Sequence, residues 1–267
     1  IMVNKALYVT EMKNSWKLLL IFCLILTMYT TIMLTMFDPS LGSALDEFAK
    51  MMPEIMSMVG MNGSTATLVH FLSTYLYGML MIVFPFLFTV LLSLKYIAKK
   101  VDNGSMAYLL SSGSTRGCVW RTECFVLLTN LLLLIAYCTL LGLVCSSFMF
   151  PQDLDVAAYL RLNFGVLCLH MALAGISFLF SCICNEYRQA ATFGAGFGIY
   201  FILVQMLANM KGNLENMKYA TLMTLFDRDA LIVNAAKGWY MSGILLLIAI
   251  GCFSAANVLF QRKNMSL

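Results

Sequence analysis

Six long apolar runs constrain the fold of this chain more than any other feature of the sequence. A helix that crosses a bilayer needs about 20 mostly apolar residues. The runs that meet this requirement are Trp16–Met36, Val69–Leu94, Phe125–Phe148, Leu162–Cys184, Ala190–Leu207 and Trp239–Phe260. Lipid offers no partner to backbone polar groups, and barrel strands would alternate over about 10 residues, so these runs must be helices. We predict an all-α membrane protein with six transmembrane helices.

The composition favours a single membrane domain over residues 1–267. Hydrophobic residues make up 61% of the chain and charged residues only 11%, whereas about a quarter of a soluble domain is charged. We therefore expect no sizeable soluble module, and the net charge of +4 is no nucleic-acid signature. All nine cysteines except Cys118 lie within or beside apolar runs, which predicts unpaired apolar fillers rather than an extracellular disulfide framework.

The basic residues are concentrated on one side of the predicted bundle. That side holds both termini, eleven of the seventeen basic residues and four of the thirteen acids, for a net charge of +7. The opposite side carries the other six basic and nine acidic residues, for a net charge of −3. Lysine and arginine are enriched in cytoplasmic loops. We therefore predict that both termini are cytoplasmic.

Two segments outside the runs have amphipathic patterns. Residues 4–17, "NKALYVTEMKNSWK", mix apolar side chains with lysines, which predicts an N-terminal interfacial helix in the headgroup plane. The alternative is the solvated start of span one. Between spans five and six, Tyr219, Leu222, Met223 and Phe226 follow a helical spacing. This stripe predicts an outer helical segment, either lying on the outer leaflet or forming a small cap packed over the bundle.

Three polar side chains within or beside the spans are candidate pathway residues: His70, His170 and Gln205. Ionisable groups inside a membrane are functional candidates by default, although an internal hydrogen bond is the simpler explanation of His170. No acid lies near the centre of a span, so a proton or sodium relay lacks its usual ligands. Pro85 in the middle of span two predicts a kink there.

Small residues form a ridge along span five. Ala190, Gly194 and Gly198 recur every fourth residue, a spacing that lets two helices approach closely. The ridge predicts helix packing, either within one chain or against a second copy.

The residues that catalysis or metal binding would require are not assembled in this sequence. The two histidines are far apart, and the spacings typical of metal ligands do not occur. The glycine-dense "FGAGFG" at 193–198 lacks the lysine of a P-loop and lies inside an apolar run. We expect no enzyme activity, metal or directly bound cofactor in this chain.

The polar stretch "VDNGSMAYLLSSGSTR" at residues 101–116 is longer than a connector between spans two and three requires. Ser105 can cap a helix that starts at Met106, and Gly113 suits the left-handed residue just past its end. The apolar residues share one face at i, i+3 and i+4: Met106, Leu109 and Leu110. So short a helix is marginal alone. The pattern therefore predicts an apolar cleft in another protein as its partner.

This stretch resembles the coupling-helix loop of permeases from the type-2 membrane family of ATP-binding-cassette (ABC) transporters. That loop carries an acid, a glycine, Leu-Leu-Ser, a proline, a Ser or Thr, and an arginine. The matching positions are Asp102, Gly104, Leu109, Leu110, Ser111, Gly113, Thr115 and Arg116. Asp102 replaces the usual Glu, and Gly113 replaces the usual Pro. Six spans, inside termini, an N-terminal interfacial segment and a long loop before span six match the family's layout.

The resemblance implies a permease subunit of an ATP-driven exporter in a bacterial plasma membrane. A separate ATPase chain would bind ATP and Mg²⁺, and a second permease domain would complete a homodimer or heterodimer, with spans two and five lining the path. The residues implied to contact the ATPase are Asp102, Gly104, Met106, Leu109, Leu110, Gly113 and Arg116. The alternative is an ATP-independent membrane protein, either a secondary transporter or a sensor-like subunit. An ion-coupled carrier would show mid-span acids or two matching broken helices.

Overall fold

The computed structural model describes residues 3–37, 51–58, 67–210 and 215–263, and every regular element in these ranges is helical. Six helices in them are long and apolar enough to cross a membrane. They are α1 (Lys5–Thr35), α2 (Leu68–Asp102), α3 (Arg116–Met149), α4 (Val156–Ile183), α5 (Tyr187–Ala208) and α6 (Ala236–Arg262). Each contains or closely overlaps one predicted apolar run. The all-α fold with six spans is confirmed, and the chain is a multi-pass membrane protein.

The α4 helix lies at the centre of the bundle. In the most apolar 18-residue stretch of α4, 67% of the residues are buried. The corresponding share is 22% in each of the peripheral helices α1 and α5. Large side chains fill the core around it, including Tyr159 and Phe178 of α4 and Phe86 of α2, all completely or almost completely buried. Because interhelix space is filled by side chains of this size, the bundle is fixed by packing and not only by hydropathy.

Three helices extend beyond their apolar runs at the same end of the bundle. The α1 helix begins 11 residues before Trp16, α2 continues 8 residues beyond Leu94, and α3 begins 9 residues before Phe125. We call this end, where α1 and α3 begin and α2 ends, the basic end. At 1.5 Å per residue the 31 residues of α1 span about 46 Å, more than the roughly 30 Å of hydrocarbon. The surplus length corresponds to the polar first part of α1, before its apolar run begins at Trp16.

The N-terminal segment is continuous with α1 and does not form a separate interfacial helix. Asn4 caps α1, and its side chain accepts a hydrogen bond from the Leu7 N–H. Residues 5–17 contain neither Gly nor Pro, so the chain has no reason to break there. The alternative interpretation, in which this segment is the start of span one, agrees with the structure.

The α2 helix is irregular in two places that the sequence did not indicate. Single π-helical turns occupy Leu76–Leu80 and Leu94–Ala98, on either side of the regular helix Met81–Ser93 that contains Pro85. Turns of this kind inside a helix are frequent at functional sites.

The segment between α5 and α6 is helical, as predicted, but it consists of several short turns and not of one continuous helix. Short helical turns cover 215–220, 222–225 and 228–232. Thr221 is extended between the first two, and its hydroxyl accepts a hydrogen bond from the Met223 N–H. Tyr219 is 82% exposed, whereas Met223 and Phe226 are buried. The segment forms a cap over the bundle, which is the second of the two predicted arrangements. Residues 215–235 are called the outer cap below.

All nine cysteine thiols are unpaired, as predicted. Five of them are buried: Cys124, Cys138, Cys168, Cys182 and Cys184. Buried free cysteine behaves as a small apolar side chain, so these residues contribute to packing.

Candidate functional site

A two-turn helix, Ser105–Ser111, connects α2 to α3 at the basic end, and we call it the loop helix. Glycines in the left-handed conformation flank it: Gly104 at φ +74° and Gly113 at φ +89°. The prediction for Gly113 is confirmed, and few other residues adopt this conformation cheaply. The prediction that Ser105 caps the helix is wrong. Gly104 is the N-cap, while the side-chain oxygen of Asn103 accepts hydrogen bonds from the Ser105 N–H (3.0 Å) and hydroxyl (2.7 Å).

The apolar face of the loop helix packs on the protein's own bundle. Met106 is 1% exposed within the main core, and Leu109 and Leu110 are partly buried against it. This face therefore has a partner in the chain's own bundle, whereas the sequence pattern predicted a cleft in another protein. The opposite face is exposed: Tyr108 is 81% accessible. The exposed residues of this stretch, which are available to another protein, are Asp102, Asn103, Gly104, Tyr108, Ser111, Ser112, Gly113 and Thr115.

Arg116, the last residue of the family-like pattern, is engaged inside the chain. Its Nη1 donates hydrogen bonds to the carbonyls of Gln261 (3.2 Å) and Lys263 (2.7 Å) at the end of α6. These carbonyls have no helical partner. The Lys263 ammonium in turn donates to the Cys184 carbonyl at 2.5 Å, and burial lowers its pKa. The start of α3 is thus tied to the ends of α4 and α6.

Three charged side chains from three helices meet at the basic end. The Lys100 ammonium of α2 contacts a carboxylate oxygen of Glu11 in α1 at 2.7 Å and one of Glu123 in α3 at 2.5 Å. Glu123 is fully buried and Glu11 is 6% exposed. Removing charges from water is costly unless they are paired, so this group fixes the relative positions of the three helix ends. We call it the charged junction.

Sequence reasoning missed the charged junction. All three residues lie outside the apolar runs, so they were counted only as loop charges. Spacing along the chain gives no signal, because 89 residues separate Glu11 from Lys100. The sequence did contain one usable signal. Each predicted helix could have been extended beyond its apolar run to the next capping or helix-breaking residue, which would have placed these three residues on helices.

Neutral hydrogen bonds surround the charged junction and join the same helices. The Asn4 N–H donates to the Thr122 hydroxyl at 3.0 Å, and the Ser15 hydroxyl donates to the Asn130 side-chain oxygen at 3.2 Å. The Asn130 amide also donates to the Tyr96 hydroxyl at 3.3 Å. One bond thus links the start of α1 to α3, and a separate chain of side chains, Ser15–Asn130–Tyr96, links α1, α3 and α2.

His170 replaces a hydrogen bond that Pro85 removes from α2. Proline has no N–H, so the Met81 carbonyl four residues earlier loses its helical partner. The fully buried His170 Nε2 lies 2.8 Å from that carbonyl oxygen. A carbonyl only accepts, so Nε2 must carry the proton. The internal hydrogen bond was the simpler of the two explanations of His170, and it accounts for the residue without a pathway.

The other two candidate pathway residues have separate surroundings. At the start of α2, His70 Nδ1 lies 2.7 Å from the Thr67 hydroxyl. Gln205 accepts a hydrogen bond from the Thr224 hydroxyl at 3.0 Å and donates one to Asn209 at 2.8 Å. The structure therefore does not bring His70, His170 and Gln205 together into one site.

The small-residue ridge of α5 is covered within the chain. Ala190, Gly194 and Gly198 are all buried. A Cβ at Gly194 would lie 3.6 Å from the Ser177 backbone of α4, and one at Gly198 would collide with Phe86 of α2. The ridge serves packing inside one protomer, so it is not the surface that a second copy could use.

A small cavity of about 30 Å³ lies between α2 and α5. Its lining is mostly apolar and includes Gly78 and Met79, from the first π turn of α2, and Gln205 and Met206 from α5. This volume corresponds to roughly one water molecule in the liquid. In this conformation the cavity is too small for a cargo molecule.

Among the described residues, no three His, Cys, Asp or Glu side chains group together as metal ligands would. Comparison with known proteins found neither a matching family model nor a matching curated protein. The function is therefore argued from the geometry of the basic end.

Proposed function

We propose that this chain is the permease subunit of an ATP-driven ABC exporter and pairs with a separate ATPase chain. The observation that carries the proposal is the loop helix, which is fixed to the bundle on one face and free on the other. Met106 anchors it in the core while Tyr108 projects outward. A helix that passes motion from a partner into a bundle needs both properties, because a loosely held helix would move alone.

The contact surface for the ATPase chain is revised from the one that the sequence suggested. Met106 is buried and Arg116 is engaged with α6, so both act as anchors. Tyr108 is the best candidate for insertion into a cleft, because exposed aromatic side chains often dominate binding energy at interfaces. The polar residues Asp102, Ser111 and Ser112 of the same stretch are exposed as well.

The rest of the proposed assembly follows from the family resemblance. ATP and Mg²⁺ are bound by the ATPase chain, and a second permease domain, identical or related, faces this one across a path lined by α2 and α5. The cavity between these helices is lined mainly by apolar and thioether side chains. An apolar or amphipathic cargo suits such a lining.

Co-purification tests the proposal. The chain is co-expressed with a P-loop ATPase encoded beside it, and the complex is assayed for binding and for ATPase activity. Tyr108→Asp should weaken association at least about tenfold, since central aromatic contacts contribute roughly 2 kcal/mol or more. Tyr219→Asp is the matched control, because Tyr219 is equally exposed (82% against 81%) but lies in the outer cap. Equal effects of the two substitutions would refute the assignment of the loop helix.

One observation favours the second candidate function, an ion-coupled carrier without an ATPase. The charged junction contains two buried carboxylates beside one lysine, and burial favours the binding of a proton by a carboxylate. Purified chain in sealed vesicles distinguishes the two candidates. A pH or sodium gradient should drive no uptake of apolar dyes if the ABC proposal holds, and uptake without an ATPase would replace it.

A further inference from the structure

The charged junction lies directly before the loop helix. Lys100 precedes Ser105 by five residues, and the Ser105 hydroxyl donates to the Lys100 carbonyl at 3.5 Å. On its other side, the π turn Leu94–Ala98 separates Lys100 from the regular part of α2. The end of α2 and the loop helix thus form one segment, which an irregular turn joins to the bundle. Such a turn is a natural place for a helix to bend.

The junction holds more negative charge than one lysine needs. Two carboxylates share a single ammonium, and one of them would suffice to pair it. Oε2 of Glu123 is buried and has no hydrogen-bond partner among the described residues. The nearby Lys95 ammonium donates to the Asn14 carbonyl at 2.6 Å. A second carboxylate raises the cost of burial, so stability alone does not explain it.

The two carboxylates differ in their access to water. Glu123 is fully buried, whereas the side chain of Glu11 keeps 8% of its surface exposed. If the end of α2 moves, we expect Lys100 to leave Glu11 at a lower cost than Glu123, because only Glu11 keeps some exposed side-chain surface. Leaving Glu123 would strand a charge in the interior, which is far more costly. Lys100 therefore has one permanent and one releasable partner.

We propose that Lys100 is a positioning residue in an electrostatic switch between α1 and the loop helix. In the state described here it holds both carboxylates and ties the start of α1 to the segment. In the second state the segment bends at the π turn, Lys100 stays with Glu123, and Glu11 is released. That an ATPase chain drives this motion rests on the proposed function. The difference in burial between Glu11 and Glu123 does not depend on it.

Amide hydrogen exchange on the full chain in lipid nanodiscs tests the asymmetry without any ATPase. Glu11→Gln should accelerate exchange about tenfold in residues 5–15 and leave the loop helix unchanged, because only the releasable pair is lost. Glu123→Gln should accelerate exchange in both segments. Glu186→Gln removes an exposed carboxylate at the same end and should change neither. Equal effects of Glu11→Gln and Glu123→Gln would overturn the proposal.

The switch itself is tested in the complex with the ATPase chain. A non-hydrolysable ATP analogue should accelerate exchange in residues 5–15 of the wild type and should have no such effect in Glu11→Gln, where the pair is already lost. Lys100→Arg should keep the nucleotide response, and Lys100→Met should abolish it while association persists. If nucleotide does not change hydrogen exchange in residues 5–15 of the wild type, the switch is refuted. Failure of any ATPase to associate would instead sink the proposed function, and the nanodisc result would still stand.

Discussion

The charged junction and the outer cap are stabilised by different kinds of contact. In the charged junction, side chains of three long helices contact each other. In the outer cap, side chains bind backbone carbonyls: Arg161 donates to Leu231 (2.9 Å) and Ile232 (2.7 Å), and Arg228 donates to Ser73 (2.6 Å). A carbonyl at a helix end has a fixed position, whereas two side chains can exchange partners. We infer from this difference that the charged junction can change its pairing, and we expect the outer cap to act as a static lid.

The largest effect is expected from breaking the charged junction. Lys100→Met leaves two buried carboxylates without their counter-charge and should lower the free energy of unfolding by about 3–5 kcal/mol. Adding Glu11→Gln and Glu123→Gln to Lys100→Met should recover most of that loss. Chemical denaturation in detergent measures both. A triple variant no more stable than Lys100→Met would mean that the charges are not coupled.

A smaller effect is expected from removing the equivalent support of the outer cap. Arg161→Met removes two charge-assisted hydrogen bonds from the last carbonyls of the short helix at 228–232. The expected cost is about 2–3 kcal/mol. If the cap is a static lid, this variant should leave hydrogen exchange at the basic end unchanged. Faster exchange in the loop helix would contradict the separation between the two ends.

The contact between His170 and the Met81 carbonyl, in the middle of the bundle, can be compared with those of the outer cap. It also joins a side chain to the backbone. His170→Leu should cost about 1–3 kcal/mol by leaving that carbonyl unsatisfied. In a chain that also carries Pro85→Ala, the restored N–H can bond to Met81, and His170→Leu should then cost much less. A double-mutant cycle by thermal unfolding measures this coupling. If the effects of His170→Leu and Pro85→Ala on stability were strictly additive, the histidine would not replace the hydrogen bond that proline cannot make.

The smallest effect is expected at the start of the short helix in the outer cap. Asp227 caps this helix through the Ala230 N–H (3.1 Å) and contacts the Lys237 ammonium at 2.7 Å. Burial favours a higher pKa for Asp227, but the Lys237 and Ala230 contacts outweigh it, and the pKa is lowered. Asp227→Ala should cost about 1 kcal/mol near neutral pH.

The pH dependence of that cost follows from the direction of the shift. A carboxyl whose pKa is depressed by folding stabilises the protein above its unfolded pKa, near 3.9, and loses this contribution as the pH falls through the folded value. The Tm difference between wild type and Asp227→Ala should therefore shrink below about pH 4. Lys237→Ala is the control, because it removes the exposed ion pair with Asp227 and keeps the helix cap. A difference that grows on acidification would reverse the assigned sign.

Local features of the sequence were enough to predict several parts of the fold. The six spans followed from hydropathy because lipid forces any long apolar run to be a helix. Gly113 in the left-handed conformation followed from glycine's lack of a Cβ. The unpaired cysteines followed from their position within apolar runs. Each of these predictions depends on residues that are neighbours in the chain.

Only the tertiary structure decided which partners the polar and amphipathic groups have. The face containing Met106 turned toward its own bundle, and the stripe that begins at Tyr219 broke into turns at Thr221. His170 found the Met81 carbonyl 89 residues away, and Lys100 found Glu11 at the same separation. Hydropathy sums properties along a segment, so it fixes whether a helix forms and crosses the membrane. Which side chains then meet depends on how the helices pack, and no local pattern encodes that.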